Sequence, residues 1–167
     1  RWIVRKWHVR FGAGVRGADP TAWGLDPIAR VVSSYNSSRV YLYKGEYDRA
    51  LEQLDEGAKT EPNHPLIRIF RSFLYFYLDR VDDAIAIIKD VLDKNPKMDG
   101  IRPIYAVFLA WQGKKEEAAA QITEQTKALA RADHDMSYWL AQAYALLDEK
   151  DEAFKWLEKA IRLGNEN

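Results

Sequence analysis

The sequence contains no cysteine, which excludes a disulfide framework and thiolate metal sites and leaves no residue to report on redox compartment. It also lacks a long apolar run. Nothing approaches the ~20 consecutive apolar residues of a spanning helix, and a cytoplasmic location is expected. Net charge is missing too, because 25 Lys and Arg stand against 25 Asp and Glu. That zero is an average over unlike parts. Residues 1–16 hold Arg1, Arg5, Lys6, Arg10 and Arg16 with no acid, so the arm carries +5 and the remainder −5. What is present argues for a folded chain: 47% hydrophobic and 30% charged residues over 167 positions exclude a disordered composition. The chain opens on Arg1, so a processed chain or a piece of a longer protein is expected.

The sequence repeats itself. Ala50, Ala84, Ala118 and Ala153 are spaced 34, 34 and 35 residues apart. Twelve positions before each stands a small residue: Ser38, Ser72, Ala106 and Ala141. Three after those come Tyr41, Tyr75, Leu109 and Tyr144, and four after each alanine come Leu54, Ile88, Ile122 and Leu157. Pro62 and Pro96 close the first two units. Each unit reads as two helices, predicted at 27–43 and 47–60, 65–78 and 81–94, 100–112 and 115–131, and 135–147 and 150–163. Pro27 and Pro65 suit a first helical turn, where a missing N–H costs nothing. Gly45, Asp79, Gly113 and Asp148 fall in the turns between paired helices. The small residues face the partner helix, where bulk would push the pair apart.

These columns resemble the tetratricopeptide repeat, a 34-residue helix–turn–helix. The resemblance covers about residues 31–165 and implies an all-α, right-handed superhelical solenoid of four helix-turn-helix units. Their expected limits are 31–64, 65–98, 99–132 and 134–167, within a solenoid of 27–167 behind an arm of 1–26. The family's tryptophan column holds Ser34, Arg68, Arg102 and Ser137, and its closing proline is Ala130 in the third unit and Asn165 in the fourth. The loss in the third unit predicts one longer second helix ending near Arg131.

Chemistry is sparse. Gly12, Gly14 and Gly17 spell G-x-G-x-x-G, but Pro20 and a turn at Gly24 follow, and no acid lies between Asp26 and Glu46, so a glycine linker is the better reading. His8, His64 and His134 are scattered without i,i+4 partners, and turn or capping roles suit the last two. Asp133, Asp135 and the acid pairs opening the second helices complement helix dipoles. No catalysis, metal or cofactor is expected.

The resemblance implies partner binding on the concave face made by the first helices. Counting helical turns from the small residues, the first unit is expected to expose Tyr35, Arg39 and Tyr43 there. The second unit adds Leu66, Ile69, Phe70, Phe73, Phe76 and Tyr77. The third and fourth add Ile104, Val107, Trp111, Tyr138, Trp139 and Gln142. The family's carboxylate-clamp positions hold Tyr35, Arg39, Phe70, Gly100 and Ile104, of which Arg39 alone suits an anion. An apolar or aromatic peptide or helix is therefore the expected ligand, unless individual residues belong to the core between repeats.

The arm RWIVRKWHVRF suits either a helix or a strand, and three roles stay open for it. It docks on its own or a neighbouring solenoid by charge complementarity, lies on a membrane surface through residues 1–11, or joins a larger protein. No continuous basic stripe supports nucleic-acid binding. The last helix keeps an apolar stripe of Phe154, Leu157 and Ile161, which calls for further sequence or for a second copy in a homo-oligomer. The ending also resembles the terminal repeats of bacterial multidomain signalling proteins. That likeness implies, as an alternative, a regulatory module whose catalytic domain lies elsewhere.

Overall fold

The computed structural model describes residues 27–165, and among them all regular structure is helical. The elements are α1 (Pro27–Lys44), α2 (Tyr47–Thr60), α3 (Pro65–Tyr77), α4 (Val81–Lys94), α5 (Arg102–Trp111), α6 (Lys115–Gln121), α7 (Glu124–Ala130), α8 (His134–Leu146) and α9 (Lys150–Asn165), with a 3-10 turn at Asp99–Ile101 before α5. Pro27 and Pro65 open α1 and α3, as their missing N–H groups favour. The arm, with its tryptophans, its glycines and the docking and membrane roles expected of it, lies outside the described residues.

The hairpin turns show how closely local sequence repeats as local structure. Gly45, Asp79, Gly113 and Asp148 all adopt positive φ, between 63° and 80°. Glycine has no Cβ to clash there, and aspartate tolerates the conformation better than most residues. Each N–H reaches back to a carbonyl three residues earlier, as from Gly45 to Leu42 at 2.9 Å and from Gly113 to Ala110 at 3.0 Å. The next N–H reaches back five, from Glu46 to Tyr41, Arg80 to Tyr75, Lys114 to Leu109 and Glu149 to Tyr144, at 2.8 to 3.0 Å. This pair of bonds is a Schellman closure, which satisfies carbonyls left over at the helix end. The residue after the turn then starts the second helix. Its carbonyl accepts from the N–H of Ala50, Ala84, Ala118 or Ala153, so the alanine column marks a fixed position in every second helix.

The chain divides into two compact units between Phe70 and Arg71. In the first, α1 packs on α2 through Val31, Ser38, Ala50 and Leu54, all fully buried. The Ser38 hydroxyl donates to the Ala50 carbonyl at 2.8 Å, tying the small-residue column to the alanine column. Gly57 is buried because no side chain fits: a Cβ there would stand 2.9 Å from Ile67 Cδ1 and from Ser34 Cβ.

In the second unit, α5 is buried along nearly its whole length, from Pro103 to Ala110, and packs on both α6 and α8. Farther along, Ala130, Leu140, Ala141, Tyr144 and Trp156 form a core cluster, with Ile122, Met136, Ala153 and Leu157 against it. Ser137 repeats the link of Ser38 in another form, its hydroxyl donating to the Ala130 carbonyl at 2.5 Å.

One expectation is corrected. The single long second helix over 115–131 is two helices, α6 and α7, broken at Ile122 and Thr123. Thr123 takes an extended backbone and its hydroxyl accepts from the Thr126 N–H at 3.1 Å. Thr126 is fully buried, and its hydroxyl donates to the Gln121 carbonyl at 3.3 Å. Threonine hydroxyls that bond nearby backbone compete with the helical ladder and favour caps.

Candidate protein-binding face

In the first unit, Tyr35, Arg39 and Tyr43 lie four residues apart on α1 and therefore share one helix face. The Arg39 guanidinium stands 5.4 Å from the Tyr35 ring centre and 6.0 Å from that of Tyr43, so one cation lies between two rings. Tyr35 meets Phe70 edge-on at 5.0 Å. Tyr43 is 56% exposed, while Tyr35, Arg39 and Ile69 are half-buried.

In the second unit the aromatic residues converge on each other. Phe76 stacks on Phe108 with ring centres 4.6 Å apart, and Phe73 meets Phe108 edge-on at 6.0 Å and Trp139 at a tilt at 4.8 Å. Trp111 stands edge-on to Phe76 at 5.5 Å, Tyr77 to Phe76 at 6.1 Å, and Tyr138 to Trp139 at 5.7 Å. Offset and edge-on pairs at such distances add about 0.5–1.5 kcal/mol each beyond the area they bury. Trp111 is the open member of the group, 48% exposed, whereas Tyr77, Tyr138, Trp139 and Gln142 are half-buried. Burial raises the Tyr138 phenol above its ordinary value, and a hydrogen bond with the Gln142 side chain draws it partly back. The phenol is neutral near pH 7 and already engaged with Gln142.

Exposure separates the expected face into two groups. Phe70, Phe73, Ile104 and Val107 were expected to be exposed and are instead buried. In the second unit the cause is the packing of first helices: α5 lies on α8, and Phe73 packs against Phe108 of α5 and Trp139 of α8. The centre of that cluster, Phe108, was not among the expected residues, yet it is fully buried. A further column carried the signal. Leu74, Phe108 and Ala143 stand two positions after the small residues of the second unit and are fully buried, whereas Val40, in the same column of the first unit, is 52% exposed.

Polar groups near the turns link successive hairpins of the second unit. Gln112 donates to the Asp82 carboxylate at 2.6 Å, and Lys115 pairs with Asp148. That lysine holds the Asp148 carboxyl below its ordinary range. The histidines fit local roles: His64 Nδ1 accepts from the Leu66 N–H at 3.2 Å, and Asp133, beside His134, caps α8 by accepting from Met136 N–H at 2.8 Å. No cluster of three or more histidine, aspartate or glutamate side chains suited to a metal ion occurs among the described residues. A pocket of about 750 Å³ beside α7 and α9 is lined by both acids and bases, among them Glu124, Lys127, Glu152 and Lys155, which pair with each other along their own helices.

Two tetratricopeptide repeat profiles match the sequence, one over residues 41–102 and one over 109–167, together well over half of the chain. The chain belongs to the tetratricopeptide repeat family. No curated protein matches it. Among solved structures, MamA 41-end from Desulfovibrio magneticus RS-1 aligns with a TM-score of 0.56 and 23% identity, over 83% of this chain and 77% of that one. Another crystal structure of MamA aligns with a TM-score of 0.54 and 17% identity, over 81% and 79% of the two chains. YrrB, described as a TPR protein with an unusual peptide-binding site, aligns at 0.50 and 19%, over 80% and 68%. At these identities the likeness shows the fold. A tetratricopeptide repeat protein of this kind is, in general terms, a protein-interaction module, and the first-helix faces of this one are where its aromatic side chains gather.

Proposed function

We propose that this tetratricopeptide repeat protein is a non-catalytic scaffold that binds an apolar or aromatic protein segment on its first-helix faces. The observation that carries the reading is Trp111: a large aromatic side chain left about half exposed at the edge of a cluster whose other rings are buried or half-buried. Covering such a ring completely is worth about 1–2 kcal/mol. The half-buried Tyr77, Tyr138, Trp139 and Gln142 surround the cluster with an apolar floor and a few polar atoms, the usual composition of a peptide-recognition surface. In the first unit, Tyr35, Arg39 and Tyr43 supply a smaller face of two phenols and one cation. YrrB supports the reading at the level of its own description, as a repeat protein with a peptide-binding site.

A protein ligand fits better than nucleic acid. Many basic side chains of the described residues are spent on acids of their own helices, as in Lys59–Glu56, Lys89–Asp93 and Lys94–Asp90, so no continuous basic stripe runs along them. No described helix is long and apolar enough to cross a membrane. The arm of residues 1–26 remains a candidate occupant on charge alone, and the reading does not depend on it. Nothing among the described residues favours a module of a larger signalling enzyme over a separate scaffold.

The test is selection of binders from a displayed random-peptide library on the full chain. Enriched peptides rich in aromatic and large aliphatic residues, displaced by the Trp111→Ala change, are the expected result. Enrichment of acidic or C-terminal carboxylate motifs, or no enrichment, overturns the reading.

A further inference from the structure

The outer side of α9 exposes large apolar side chains. Leu54 and Ile88 are fully buried, whereas Ile122 and Leu157, in the same column, are partly buried against the core cluster. Leu92 and Thr126 are buried, whereas Ile161, in register with them, is 49% exposed. Phe154, about two turns earlier on the same stripe, is 66% exposed. Inside the second unit the matching faces of α4 and α7 are covered by α5 and α8. Among the described residues, no helix covers Phe154 and Ile161 on this side of α9, and two large apolar side chains so placed favour association.

The charges beside this stripe identify the occupant. Asp151, Lys155, Glu158 and Arg162 are all exposed and occur at spacings of four, three and four, so they line one flank of α9. Their signs run minus, plus, minus, plus. The pattern is antisymmetric about its midpoint: reversed end to end, it sets Asp151 against Arg162 and Lys155 against Glu158. An antiparallel pair related by a two-fold axis brings each flank against its own reversed copy. We infer that α9 is a homodimerisation surface on which a second copy of this chain docks its own α9 antiparallel. Phe154 then lies near Ile161 of the partner subunit at the centre, and four pairs of opposite charges on the rim, two kinds each occurring twice, set the register. Lys155 already bridges Glu152 in the single chain at 2.8 Å. That pair is largely solvent-exposed, its members three residues apart on α9, and is worth little, so exchanging it costs little. This surface is separate from the first-helix faces, and the inference stands whether or not a peptide binds there.

Sedimentation of the full chain across a dilution series provides the test. The unchanged chain is expected to pass from dimer to monomer on dilution, and Phe154→Glu to stay monomeric with an unchanged circular dichroism spectrum. Asp151→Lys and Arg162→Asp are each expected to weaken the dimer about tenfold or more, because each places two like-charge pairs across the two-fold axis. The double change Asp151→Lys with Arg162→Asp restores it. A monomer at every concentration overturns the inference, as does a Phe154→Glu dimer of unchanged strength. A double variant weaker than both single ones overturns the antiparallel register. If a synthetic peptide of residues 1–16 dissociates the dimer and itself requires Phe154, the face belongs to the arm and the inference fails.

Discussion

The first-helix faces of the two units carry the same kinds of residue and put them to different uses. In the first, Arg39 lies between Tyr35 and Tyr43, and Tyr43 remains mostly open. In the second, Phe73, Phe76, Phe108 and Trp139 pack on each other, and Trp111 is the open one. The difference teaches that aromatic content on a repeat helix does not by itself define a ligand surface. What decides is whether another first helix lies over it, as α8 does over α5. The side chains left to meet a partner are therefore few, and alanine changes should separate packing residues from recognition residues.

The largest effect is expected inside the packed cluster. Phe108→Ala removes the ring on which Phe76 stacks and Phe73 leans, and should cost about 3–5 kcal/mol of stability. Tyr43→Ala, on the open face, should cost less than about 0.5 kcal/mol. Denaturant titration of both variants checks the contrast, and equal losses would erase it. Next comes Gly57→Ala in the first unit. Its new Cβ would stand 2.9 Å from Ile67 Cδ1 and from Ser34 Cβ, so a neighbour must shift, and a loss of about 1–3 kcal/mol is expected in the same titration.

Much of this was legible in the sequence, and particular residues show why. The column of Gly45, Asp79, Gly113 and Asp148 marked four turns, and all four adopt the left-handed conformation that those residue types tolerate. The alanine and small-residue columns located the helix contacts, because a backbone approach leaves no room for anything larger. The break in the third unit was harder to see. The alanine run 118–120 favours a continuing helix, and only Thr123 before Glu124 signals a new start. Burial of Phe70 and Phe73 was the least legible feature. Helical periodicity assigns a side chain to a face of its own helix, but it does not say which neighbour covers that face.

Smaller effects test the turns. Gly113→Ala should cost about 1 kcal/mol, because alanine is strained at positive φ. Asp79→Gly should add roughly 0.5 kcal/mol by relieving a milder strain, less the extra freedom glycine gives the unfolded chain. Thermal melts of the two variants moving in opposite directions would support a shared turn geometry across the repeats.

The smallest expected effect is electrostatic. Lys115 lowers the Asp148 carboxyl in the folded state, so the pair's contribution is present above the ordinary aspartate value and fades as pH falls through the lowered one. Lys115→Met should raise the Asp148 titration midpoint toward the ordinary range in a carboxyl-carbon NMR titration. Because both side chains are exposed, stability near pH 7 should barely move.

Isothermal titration of one library-selected aromatic peptide into the unchanged chain and into Trp111→Ala tests the central claim most directly. The account predicts at least about a tenfold weaker affinity for the variant, or about 1.4 kcal/mol, with the far-ultraviolet circular dichroism spectrum unchanged. Equal affinity for both proteins would contradict it.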